Sequence, residues 1–144
     1  MKAQDLTKFW NMPDSTRLCK KPTSVRLSID TQAKIMALSE IYSNKTKSQL
    51  INDLLFAALE DVQKGIPSKV GNYLFEEPSS FDKDGLPVME YVYQEVGLIR
   101  KFIQRTNVYI ERFEKDIGNN DPVFYVVPEH VVLTSEEHNI EQNS

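Results

Sequence analysis

Seven cationic side chains crowd one stretch of this chain: Arg17, Lys20, Lys21, Arg26, Lys34, Lys45 and Lys47 face only Asp30 and Glu40 as acids between positions 17 and 47. Clustered Lys and Arg neutralise phosphates, so the chemistry on offer is polyanion binding rather than proton or electron transfer. The net charge of −4 over 144 residues hides this. Residues 1–64 hold ten Lys/Arg against seven Asp/Glu, a net of +3, whereas residues 65–144 hold seven against fourteen, a net of −7. Such asymmetry implies two jobs, a basic surface and an acidic partner region.

Other chemistry is poorly supplied. Cys19 is the single cysteine, which excludes an intrachain disulfide, and no ligand stands near it at metal-binding spacing. His130 and His138 are eight residues apart with no Cys or carboxylate cluster at zinc spacing, so no metal or cofactor is expected. No nucleotide-binding glycine loop, nucleophile elbow, recognisable pair of catalytic carboxylates or HExxH motif is present, which makes an enzyme the weakest class. No apolar run reaches the roughly 18 residues of a membrane span, and the N-terminus lacks the apolar core of a signal peptide. A cytoplasmic protein with no membrane association is expected.

The elements that would carry the cations follow from periodicity. Residues 1–21 mix Phe9, Trp10, Met12 and Pro13 without a sustained period and read as an N-terminal arm. Ser24, Arg26 and Ser28 alternate with Val25, Leu27 and Ile29, the pattern of a half-buried strand. Asp30 is the expected N-cap of a helix over about 31–43, and Asn44 the expected left-handed residue of the turn after it. Thr46 with Gln49 forms a capping box, and Leu50, Ile51, Leu54, Leu55, Ala58, Leu59 and Val62 then make a wide apolar stripe up to Gly65. Residues 65–87, rich in Gly, Pro, Ser and Asp, read as a linker. From Met89 to Ile117 apolar residues recur at spacings of three and four, an a/d heptad pattern, although 88–97 also alternates like a strand and Gly97 interrupts it. Val123–Val127 reads as a short strand, and 128–144 as a polar tail.

Strand, helix, turn and capped helix in this order resemble the ribbon-helix-helix family of the Arc/MetJ/CopG class. The residues carrying the likeness are PTSVRLSID, ALSEIYSN and KTKSQLINDLLFAALEDV, within positions 22–64. The resemblance implies an intertwined homodimer in which one strand from each subunit pairs into a ribbon that enters the DNA major groove. It places Val25, Leu27 and Ile29 against the helices and points Ser24, Arg26 and Ser28 at base edges. It places Lys45, Thr46, Lys47 and Ser48 at a phosphate, with Arg17, Lys20 and Lys21 as additional DNA contacts. Asn44 stands where the family commonly has glycine.

The expected architecture is therefore an α-rich α+β protein: arm 1–21, ribbon-helix-helix domain 22–64, linker 65–87, acidic helical or coiled-coil oligomerisation region 88–127, and tail 128–144. The implied function is sequence-specific DNA binding as a dimeric transcriptional repressor, with higher assembly through residues 89–117. Two alternatives remain open. One is an antitoxin or plasmid-transfer accessory factor whose acidic C-terminal half binds a protein; the other is a dimeric interaction module that binds no DNA.

Overall fold

The computed structural model describes residues 2–10 and 16–144. The chain forms two compact units, Met1–Gly65 with Asp116–Gly118, and Ile66–Lys115 with Asn119–Ser144.

In the first unit, helix α1 (Ile29–Ile41) begins two residues earlier than the sequence suggests, because Ser28 and not Asp30 is its N-cap: the Ser28 hydroxyl accepts from the Thr31 amide. Asp30 instead occupies the first turn, where a negative charge suits the helix dipole, and pairs with Lys34 at 2.8 Å. The turn after α1 closes through Tyr42 N–H to Leu38 O and Lys45 N–H to Tyr42 O. No described non-glycine residue has positive φ, so the left-handed Asn44 is corrected. Helix α2 (Lys47–Lys64) carries the expected capping box and ends at Gly65.

Leu50 and Ala57, two turns apart on α2, are the buried centre of this unit, with Leu38, Tyr42 and Leu54 packed around them. Leu6 and Trp10 complete the cluster. They come from the expected arm, where a 3-10 helix (Ala3–Lys8) lies against α2. Trp10 is only 2% exposed. Its ring meets Tyr42 edge-on at 4.8 Å, and its indole N–H donates to Asp53 Oδ2 at 3.0 Å. The arm is core.

The ribbon-helix-helix expectation is overturned. Residues 22–28 form no regular element, no ladder pairs them among the described residues, and Val25 and Ile29 are 70% and 90% exposed. All described strands follow α1 and α2 in the chain and form one antiparallel sheet, ordered β1-β2-β3. Alternation reports side chains suited to a pleat, but a strand exists only where a neighbouring backbone accepts its hydrogen bonds. Residues 22–28 have none among the described residues.

That sheet lies in the second unit. The expected linker contains its longest strand, β1 (Val70–Phe81), which turns back into β2 (Pro87–Glu95). Asp82 builds the turn: its Oδ1 accepts from the amides of Asp84 and Leu86, both at 2.9 Å, and Gly85 takes φ +78°. The ambiguous segment 88–97 is thus largely strand. β3 (His130–Leu133) pairs with the other side of β2, Tyr91 opposite Leu133 and Gln94 opposite His130, and α4 (Ser135–Gln142) follows with its own Thr134/Glu137 capping box. The expected tail is therefore ordered structure.

Helix α3 spans Leu98–Asp116, so the stripe that begins at Met89 crosses two different elements and is not one coiled-coil helix. Gly97 separates them for a steric reason: a Cβ there would lie 2.5 Å from the Lys69 nitrogen and 2.7 Å from the Pro67 oxygen. Val123–Val127 is not a strand. The Asn107 side-chain amide bonds both the N–H and the C=O of Tyr125, at 3.0 and 2.9 Å, making with one side chain the bonds a strand neighbour would make. Among the described residues no helix is long and apolar enough to cross a membrane.

Candidate nucleic-acid interface

The irregular segment 16–28 presents most of the expected contact residues. Ser24, Arg26, Lys20 and Lys21 are exposed along it, as is Arg17. Ser28 is committed elsewhere, since its hydroxyl both caps α1 and donates to Thr31 Oγ1 at 2.9 Å. A base-reading role for Ser28 would cost α1 its cap.

The N-terminus of α2 is the better-defined half of the site. Thr46 Oγ1 accepts from the Gln49 amide at 3.1 Å, and the Thr46 amide donates to Gln49 Oε1 at 2.9 Å. This reciprocal cap satisfies two amides and leaves those of Lys47 and Ser48, which have no acceptor inside the helix, directed out of its positive end. Lys47 and Ser48 are exposed beside them. Lys45 is not: its 9% exposure sets it into the turn. Thr16 and Leu18, which flank Arg17, join Thr46, Ser48, Gln49 and Asn52 to line a cleft of about 350 Å³. The fold thereby brings the start of the basic segment to the N-terminal turn of α2, a convergence that residue spacing does not disclose.

Two polar clusters lie in the second unit, away from the expected contact residues. In one, His138 of α4 stacks on Tyr91 at 3.9 Å, its Nδ1 lies 2.5 Å from the Tyr93 hydroxyl, and Gln142 donates to that same hydroxyl at 3.1 Å. Tyr73 closes the group edge-on to Tyr93 at 5.4 Å. Burial pushes the Tyr73 phenol above its ordinary pKa, and Glu76, Tyr91 and Tyr93 add to the effect. Through these contacts His138 and Gln142 seat α4 on Tyr91 and Tyr93 of the sheet. The Thr134-x-x-Glu137 box was its available signal.

In the other cluster Glu95, 3% exposed, accepts from the Ser68 hydroxyl, from the Lys69 amide at 2.9 Å and from the Gly97 amide at 2.6 Å. Burial alone would favour its neutral form. The bonds from Ser68, Lys69 and Gly97, helped by Arg100, outweigh burial and hold the carboxyl below the usual carboxylate range. Among the described residues no group of three His, Cys, Asp or Glu could hold a metal ion.

No protein-family model matches the chain, and no curated protein or solved structure is significantly similar to it.

Proposed function

We propose that this chain is a DNA-binding protein that acts as a homodimeric transcriptional regulator in the cytoplasm, with Ser24 and Arg26 at base edges and Lys47, Ser48 and the α2 amides on phosphate. The observation that carries the proposal is the convergence of the exposed basic segment with the uncapped amides of α2. Arg17, Lys20 and Lys21 supply further phosphate contacts from the same segment, and Lys45, set into its turn, does not. Leu55, Phe56, Leu59 and Val62 leave an exposed apolar face on α2, which supports association with a second copy. The reading element is segment 22–28.

Selection of bound fragments from random duplexes by the purified protein tests the proposal, with recovery of a common sequence as the expected result. Failure to retain any fragment at low salt would remove it. Within a recovered site, Arg26→Ala should cost about 1–3 kcal/mol on the cognate duplex and less on scrambled DNA. Lys47→Ala should weaken both equally and lower the salt slope by about one per contact. An unchanged specificity ratio for Arg26→Ala would show that segment 22–28 reads no bases.

A further inference from the structure

The acidic C-terminal unit carries its cations in one place. Of the seven Lys/Arg in residues 65–144, five lie on α3: Arg100, Lys101, Arg105, Arg112 and Lys115. Four of these fall on a single face, since Lys101, Arg105, Arg112 and Lys115, with Val108 between them, repeat at i, i+4, i+11 and i+14. All four are exposed, and none makes an ion pair among the described residues. At 1.5 Å per residue the line is about 21 Å long. Acids meet this line only toward its C-terminal end, where Glu111 stands one turn before Lys115 and Asp116 one turn after Arg112.

Tyr109 organises the middle of the line. The Arg105 guanidinium lies 5.5 Å from its ring centroid and the Arg112 guanidinium 5.1 Å. Cation–π contact holds two long side chains that would otherwise sample many rotamers, so less freedom is lost when they meet an anion. A solvated helix face in an acidic protein has no need to keep its cations together, unpaired by the abundant carboxylates and partly immobilised.

We propose that the outer face of α3 is a second nucleic-acid surface, binding the phosphate backbone of duplex DNA without regard to sequence. A folded protein partner fits less well. Protein interfaces centre on apolar and aromatic anchors and are depleted in Lys, whereas here the exposed aromatic pair, Tyr109 stacked on Phe113 at 6.0 Å, is flanked by the Arg105 and Arg112 guanidiniums, and Val108 stands alone among the cations. A row of cations about 21 Å long suits a strand carrying one phosphate per roughly 3.4 Å of helix axis. The surface goes beyond the N-terminal interface and does not depend on it.

The test is binding of the full chain to a random-sequence duplex of about 30 base pairs, followed by fluorescence anisotropy from about 50 to about 200 mM salt. Lys101→Ala/Arg105→Ala/Arg112→Ala should lose at least about tenfold in affinity at the low-salt end and lower the salt slope by about 2.7 per chain. Arg105→Lys/Arg112→Lys, which keeps the charge, should retain the slope. Lys101→Glu, which leaves the Tyr109 stack in place, should also weaken binding and serves if the triple variant melts early.

An Arg26→Ala/Lys47→Ala protein separates the two proposals. Binding kept by that protein and lost by the α3 variant supports this surface and removes the N-terminal one; the reverse pattern overturns this surface alone. Unchanged affinity and slope in a folded triple variant overturn it, as does wild-type protein that ignores DNA and binds vesicles of phosphatidylserine and phosphatidylcholine.

Discussion

The first unit of a Trp10→Ala protein is expected to be largely unfolded at room temperature. Truncating a buried tryptophan costs about 3–5 kcal/mol through lost transfer energy and the cavity left behind. A unit of this size has a total stability of only roughly 3–10 kcal/mol, at 0.05–0.15 kcal/mol per residue. Trp10 also touches three separate things, the Tyr42 ring, Asp53 and the buried cluster around Leu50, so its removal opens the site where the N-terminal segment closes over α1 and α2. Amide hydrogen exchange resolves the outcome, since α2 amides should lose protection while those of β2 keep theirs. Trp10→Phe, which retains most of the ring and deletes the bond to Asp53, should cost about 1 kcal/mol. Undiminished protection of α2 in Trp10→Ala would show that the N-terminal segment is ornamental.

Replacement of Glu95 should be the most damaging single change in the second unit. Glu95→Ala leaves the part-buried Ser68 hydroxyl and the amides of Lys69 and Gly97 without their charged acceptor, and a hydrogen bond to a charged group contributes about 1.5–3 kcal/mol. A combined loss of about 3–5 kcal/mol is expected on thermal or urea unfolding. The same carboxylate predicts a pH response. Its folded pKa lies below its unfolded one, so the stability it contributes is complete above the ordinary glutamate range and is lost as pH falls through the folded value. Glu95→Gln keeps one acceptor oxygen and cannot ionise. It should be less destabilising than Glu95→Ala at neutral pH and should flatten the acid limb of the stability profile. Equal acid limbs in Glu95→Gln and wild type would place the titrating group elsewhere.

What the sequence disclosed was local. The Thr46/Gln49 box and the Gly65 stop depend on residues three apart or adjacent, and both stand as read. The same local rule was available at Thr134 and Glu137, where the polar composition of 128–144 masked it. In 65–87 Gly71, Pro78, Ser79 and Ser80 lie within the irregular strand β1, and Asp82, Asp84 and Gly85 form the turn after it; composition cannot distinguish these from a linker. The contacts that decided the fold were distant. Trp10 meets Asp53 across 43 positions, and Ser68 meets Glu95 across 27. Alternation over 24–29 was real, but pairing requires a second backbone that the pattern does not encode. For the candidate site, charge clustering pointed to its cations and the family resemblance to its Ser and Thr residues, whereas the placement of Thr16 and Leu18 beside Ser48 and the use of Ser28 as a cap arose only in three dimensions.

β1 runs along an outer edge of its sheet, and twelve residues of unshared backbone edge invite end-to-end polymerisation with other copies of the chain. The edge carries its own deterrents. Pro78 has no N–H to donate, Glu76 and Glu77 set like charges against a second copy, and register shifts near Tyr73 and Pro78 break the flat template that a growing fibril needs. The irregularities that made this segment look structureless are thus what permit a long strand to stand at the border of the sheet without seeding aggregation.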